Sequence, residues 1–235
     1  MLLSTALALA FSAPNSMQED ATSGWREPAP EVVDLLDAPP TPRASVAPGG
    51  GHLLWIERPA MPALADVMSP WVGLAGLRID TGLGARHRTS FDSGFLLRDL
   101  RDPEAQDRRV ALPEGARLAS TSWSHTGHHF AFTLAVETGY ELWVCDAAQA
   151  QAQRVAGPLV GVFGSGFTWL PDGKSLLVAL VPEGRGEAPQ RERVPVGPIL
   201  QETAGAKAPA RTYQDLLRDA HDEALFDHYL SLIHI

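Results

Sequence analysis

Apolar residues in this chain fall in short runs, and turn signals separate them. Three stretches share one layout: Ser45-Val-Ala-Pro-Gly-Gly-Gly-His-Leu-Leu-Trp55, Ser122-Trp-Ser-His-Thr-Gly-His-His-Phe-Ala-Phe132 and Thr168-Trp-Leu-Pro-Asp-Gly-Lys-Ser-Leu-Leu-Val178. Each predicts the end of one strand, a tight turn closed by glycine, and then an apolar strand. The aligned glycines are Gly50, Gly127 and Gly173. A short hairpin turn needs a residue at positive φ, and glycine takes that conformation without steric cost. Pro171-Asp172-Gly173 is the strongest of the three turn signals, and Lys174 to Leu180 after it reads as a buried strand. Tyr140 to Asp146 alternates apolar and polar residues, as a half-exposed strand does. A turn over Ala147 to Gln151 and a strand over Ala152 to Val155 follow. The earlier stretch Gly94 to Leu100, Arg101 to Asp107 and Arg108 to Leu112 has the same layout.

The aligned glycines lie 77 and then 46 residues apart. The second spacing matches a four-stranded propeller blade of about 40 to 50 residues, and the first matches a blade with an insertion. The expected fold is therefore all-β: a partial β-propeller of antiparallel four-stranded sheets. One blade is expected near Ala44 to Glu114, a second near Ala116 to Leu159, and a third from Gly164. A ring needs about four to eight blades, so these two and a half to three do not close one. Trp123 and Trp169 precede their turns at equivalent places, which predicts a packing layer repeated from blade to blade.

Composition supports a turn-rich fold with a core: 45% of residues are hydrophobic, with 21 glycines and 19 prolines. The formal net charge of -9 and the absence of a basic stripe argue against a nucleic-acid partner. Cys145 is the sole cysteine, which rules out an intrachain disulfide and a cysteine-based zinc motif. Leu2 to Phe11 is too short to span a bilayer and fits the apolar core of a secretory leader, with Ala10-Phe11-Ser12 as a cleavage pattern. We expect a leader over residues 1–13, a linker over 14–30 and the propeller part over 31–229. A periplasmic or secreted location follows from the leader. A cytoplasmic one follows if the leader reading fails, since no Lys or Arg precedes the apolar run.

Five stretches resemble the glutamyl endopeptidase branch of the prolyl oligopeptidase-type serine peptidases. They are Pro30-Glu-Val-Val-Asp-Leu-Leu-Asp-Ala-Pro-Pro40, Leu74-Ala-Gly-Leu-Arg-Ile-Asp80, the Trp123 and Trp169 turns, Val194-Pro-Val-Gly-Pro-Ile-Leu-Gln-Glu202, and Ala210-Arg-Thr-Tyr-Gln-Asp-Leu-Leu217 running into Leu225-Phe-Asp227. The blade turns alone are also found in TolB-like propellers. The resemblance implies an N-terminal propeller capping an α/β-hydrolase domain. That domain would carry Ser, Asp and His, with the Ser on a Gly-x-Ser-x-Gly elbow. It further implies cleavage of peptides after Glu and no cofactor. In this chain no Ser has Gly at both −2 and +2, so no catalytic residue carries over. The partners implied are peptide substrates and the hydrolase domain of the same polypeptide. The alternative is a non-catalytic periplasmic propeller that serves as a binding scaffold. The end of the chain, Leu230-Ser-Leu-Ile-His-Ile235, resembles a translated transposon-end sequencing adaptor, and residues 230–235 are expected to be foreign to the protein.

Other groups carry candidate chemistry. His125, His128 and His129 are dense enough to suggest zinc, but they sit on a repeated turn, and neighbouring strand residues face opposite ways. A solvated hairpin is the reading adopted. Asp215, Asp219, Asp222, Glu223 and Asp227, with interleaved apolar residues, read as the solvated face of an amphipathic helix. Arg78 and Asp80 read either as channel-lining groups or as a local ion pair. Arg86, His87 and Arg88 form a basic cluster in the same insertion, and two arginines there would attract a Glu side chain. Cys145, within an alternating strand, reads as a small packing residue.

Overall fold

The computed structural model describes residues 28–191, 205, 213–231 and 233–234. The expected leader, most of the linker and the Val194 to Glu202 motif lie outside the described residues. The chain divides into two compact units, Met1–Asp37 and Ala38–Ile235. The first contains helix α1 (Pro30–Asp37), in which no residue is buried. Its leading proline suits the first helical turn, where the backbone N–H would go unused.

The second unit opens with the hairpin β1 (Arg43–Val46) and β2 (His52–Glu57). An insertion follows: the short helix α2 (Leu64–Val67), then β3 (Trp71–Leu74), β4 (Leu77–Asp80) and β5 (Ala85–Arg86). These three strands form an antiparallel sheet of their own. The chain then returns through β6 (Gly94–Asp99) and β7 (Arg108–Arg109), completing a first blade in the order β1-β2-β6-β7. The insertion accounts for the long first spacing between turn glycines.

The second blade is β8 (Leu118–Trp123), β9 (His129–Val136), β10 (Gly139–Asp146) and β11 (Gln151–Leu159), each antiparallel to the next. Next come β12 (Phe167–Trp169) and β13 (Leu176–Leu180), the first two strands of a third blade. One residue pair, Leu159 with Leu180, joins β13 to β11. Helix α3 (Ala220–Leu230) and the short strand β14 (Ile233–His234) end the described chain, and β14 pairs with β13. The fold is thus all-β, a partial propeller, and its blades fall where the turn pattern puts them. The stretch Lys174 to Leu180 differs from expectation. Lys174, Ser175 and Leu177 are exposed, and Val178 alone in the run is buried. Val178 enters the core shared with the second blade, and Ala179 packs less deeply from the other face against the core formed with α3.

The second blade shows why the sheets stack. Successive side chains of a strand point to opposite faces. In β9, Phe130, Phe132 and Leu134 enter one core, with Leu54, Ile56, Phe95 and Leu97 of the first blade. Ala131 and Ala135 face the other way, into a core with Phe167, Trp169 and Val178 of the third. Both faces of β9 are buried, one lined by large and the other by small side chains. Phe95 meets Phe130 and Phe132 edge-on, with ring centroids 5.3 and 5.1 Å apart. Each such pair adds about 0.5–1.5 kcal/mol beyond area burial.

The joint between blades is repeated. The Trp123 indole N–H donates to Ser45 Oγ at 3.1 Å, and the Trp169 indole N–H donates to the Ser122 carbonyl oxygen at 3.1 Å. In both cases the tryptophan before the turn reaches the first strand of the preceding blade. The turn glycines repeat the pattern. Gly127 has φ 70° and lies against the Pro48 carbonyl of the first blade's turn. Gly173 has φ 66° and lies against Thr126 of the second blade's turn. Glycine is therefore required there twice over, for the turn itself and for the approach of the neighbouring turn. The predicted repeating layer exists, and it is a hydrogen bond as well as a packing contact.

A third core sits apart from the blades. Leu74 and Ile79 of the insertion, Val160 and Val162, and Leu225 and Tyr229 of α3 form it. The end of the chain thus folds back onto the insertion in the first blade.

Candidate functional site

The basic residues singled out in the sequence lie on the inserted sheet. Its strands are two to four residues long, so each needs support from outside. The Leu217-side segment and α3 provide it. The backbone N–H of Gly76 donates to the Asp215 carbonyl at 2.9 Å, and Arg78 Nε donates to the Asp215 carboxylate at 3.4 Å. Asp80 turns away from Arg78. It is buried and accepts from the backbone N–H groups of Gly82 and Leu83, at 2.9 and 2.8 Å, and from Ser69 Oγ. The local Arg78–Asp80 ion pair is therefore corrected: Asp80 orders the turn after β4, and the partner of Arg78 is Asp215. Adjacent residues of a strand point to opposite faces, but Arg78 and Asp80 are two apart and share one; the capping turn is what takes the Asp80 carboxylate away.

The Arg78 guanidinium lies over the ring of Trp71, 4.7 Å from its centroid. His87 stands on the same tryptophan, ring centroids 6.2 Å apart. Arg78, Arg86 and His87 line a shallow depression of about 560 Å³, closed on its other side by Tyr213, Gln214 and Asp215. The Nδ1 of His87 is buried there without a hydrogen-bond partner among the described residues. Arg88 goes elsewhere. Its guanidinium is 5.8 Å from the centroid of Phe91, which also carries Arg117 at 4.3 Å. Arg117 in turn pairs with the buried Asp66 of α2. The cluster Arg86-His87-Arg88 thus divides, and Arg78 replaces Arg88 beside Arg86.

The acidic run is also corrected. Residues Asp215 to Arg218 are not helical, and α3 begins at Ala220, with Asp219 as its N-cap, accepting from the Asp222 N–H at 2.9 Å. Asp222 is buried, not solvated. Its carboxylate takes the Arg218 Nε and backbone N–H, each at 3.0 Å, and Arg191 Nη2 at 3.3 Å. A carboxylate can be buried when charge-assisted bonds of this kind replace water. Glu223 and Asp227 are exposed, as expected of a solvated face.

Among the described residues, no group of three or more His, Cys, Asp or Glu is placed to hold a metal ion. His125 and His128 are exposed, and His129 approaches Asp146 at 3.9 Å. Cys145 is buried against the first core, and burial pushes its thiol up to about 12, which fits a packing role. The sequence reading missed Tyr213 and Asp215 as members of this depression, and Trp71 as the ring beneath Arg78. They come from distant segments, and no local spacing connects them.

No protein-family model matches the chain. It is 37% identical over 224 residues to a protein of Arabidopsis thaliana named probable glutamyl endopeptidase, chloroplastic, an alignment covering 89% of this chain and 23% of that one. A protein of the same name from Oryza sativa subsp. japonica is 35% identical over 223 residues, covering 89% and 24%. Over 89% of its length the chain is thus similar to proteins named as glutamyl endopeptidases, in keeping with its resemblance to that branch of the prolyl oligopeptidase-type peptidases. It spans about a quarter of the length of these curated relatives. Solved structures similar to this chain include an acylaminoacyl peptidase of Pyrococcus horikoshii, 12% identical, with a TM-score of 0.37 over 69% of this chain and 20% of that one. TolB of Acinetobacter baumannii is 15% identical, with a TM-score of 0.32 over 62% and 28%.

Proposed function

We propose that this chain is the propeller portion of a serine endopeptidase that hydrolyses peptides, with cleavage after glutamate. The blades would limit which peptides reach a catalytic Ser, Asp and His carried by a hydrolase domain of the same polypeptide. What supports the reading is the 37% identity across 89% of the chain to a protein named as a glutamyl endopeptidase. The blade geometry agrees, because stacked sheets with repeated joints build a wall. Export, read from Leu2 to Phe11, belongs to the same proposal.

The test is to express the coding sequence extended beyond this chain. The extended protein should react with a fluorophosphonate probe and cleave a blocked glutamyl peptide. Further blades without a Gly-x-Ser-x-Gly elbow would favour the non-catalytic scaffold instead. The 235-residue chain by itself should show no cleavage. Turnover that survives purification and is blocked by a serine-directed inhibitor would overturn that expectation.

A further inference from the structure

The depression on the inserted sheet holds more unspent cationic hydrogen-bonding capacity than the fold requires. Arg86 is exposed and makes no ion pair among the described residues. Arg78 gives only its Nε to Asp215, at a long 3.4 Å, and its side chain is 53% exposed. The Arg78 guanidinium lies over the Trp71 ring, 4.7 Å from its centroid, and its Nη groups make no hydrogen bond among the described residues. His87 contributes a buried Nδ1 with no partner among the described residues. Tyr213, 77% exposed, stands opposite. Against these groups stands one carboxylate, Asp215, so the depression is locally cationic in a chain of net charge -9.

We propose that this depression binds the side-chain carboxylate of a peptide, with Arg86 and the Nη groups of Arg78 as its ligands and Tyr213 flanking the peptide. Two guanidinium groups lining one open depression suit a carboxylate, which accepts paired N–H donors. The exposed ring of Tyr213 suits a peptide more than a bare anion. The inference deepens the endopeptidase reading and rests on it for the substrate class: an acidic peptide would be held at the first blade's insertion before or during cleavage.

The experiment uses the 235-residue chain and the pentapeptide Ala-Ala-Glu-Ala-Ala, blocked at both ends and carrying an uncharged dye, followed by fluorescence anisotropy. Its Gln twin should bind about tenfold more weakly or worse, the loss expected when a charge-assisted bond is removed. Arg86→Gln should cost the Glu peptide a similar factor, whereas Arg86→Lys, which keeps the charge, should cost less. Arg43→Gln, at an exposed arginine of β1, should leave binding unchanged, and unaltered circular dichroism would show that the variants fold. Equal affinity for the Glu and Gln peptides would overturn the proposal. So would full affinity in Arg86→Gln, or displacement of the peptide by sodium acetate at equal concentration. The fluorophosphonate test of the extended protein does not involve Arg86, so either reading can fail without the other.

Discussion

Replacing Gly127 with alanine should separate the two demands placed on the turn glycines. Gly50 and Gly127 occupy the same place in successive blades, with φ of 72° and 70°. A Cβ on Gly50 would meet nothing within 4 Å, whereas one on Gly127 would run into the Pro48 carbonyl oxygen and come within 3.3 Å of Ala47 Cβ. The left-handed conformation costs a non-glycine residue about 1–2 kcal/mol, and this cost is common to both sites. Overpacking against a neighbour that cannot rotate away adds about 1–3 kcal/mol at Gly127 alone. Gly50→Ala should therefore destabilise by about 1–2 kcal/mol, and Gly127→Ala by about 2–5 kcal/mol. Gly173→Ala should fall between them. Its obstacle is chiefly Thr126 Cγ2, at 2.7 Å, and Thr126→Ala should relieve part of the cost. The assay is urea unfolding followed by circular dichroism at low protein concentration, with wild type and the variants at a common m-value. Equal costs for Gly50→Ala and Gly127→Ala would show that the blades do not meet at this turn, and the account of the joint would fall.

Other outcomes follow from burial and charge. His52 is buried in β2, and burial first, then the Arg101 charge 3.3 Å from its Nε2, hold its pKa below the usual 6.5, against the opposing pull of Asp99. The unfolded chain takes up that proton more readily, so stability should be complete above about pH 6.5 and decline as pH falls below it. The urea midpoint between pH 7.5 and 5.5 should show this, and His52→Gln should flatten the slope. Cys145, with its thiol pushed up to about 12 by burial, should resist iodoacetamide at pH 8 in the folded chain and react once urea unfolds it. Phe163, Leu170 and Leu177 expose apolar surface on the third blade, so light scattering after size exclusion should show self-association. A monodisperse monomer with a reversible, cooperative melt would mean that these blades are self-sufficient.

The blades were readable because their signals are local. Gly127 and Gly173 mark turns by their own conformation, and Trp123 and Trp169 precede them at a constant offset. Asp80 was open to a local reading as well, since Asp80-Thr-Gly-Leu83 has the form of a side-chain-capped turn. The partner of Arg78, in contrast, lies 137 residues away at Asp215, and nothing in the spacing of either segment announces the pair. The acidic run was misread for the same reason. Charge pattern alone puts Asp222 in water, whereas Arg191, 31 residues upstream, brings it inside together with Arg218. The insertion's sheet escaped notice because strands of two to four residues leave too few positions for alternation to show.

The third core also sets a timetable for synthesis. Leu74 and Ile79 are made early, but Leu225 and Tyr229, which cover them, follow about 150 residues later. At about 5–20 residues per second, the ribosome needs roughly 8–30 s to supply that cover. During that interval the first blade can pair its strands while its insertion waits for α3, with part of its apolar surface open to solvent. Chaperone capture, or premature association between neighbouring nascent chains, would act on this segment first. A stall placed between Val162 and Leu225 would prolong its exposure without changing a single contact of the finished fold.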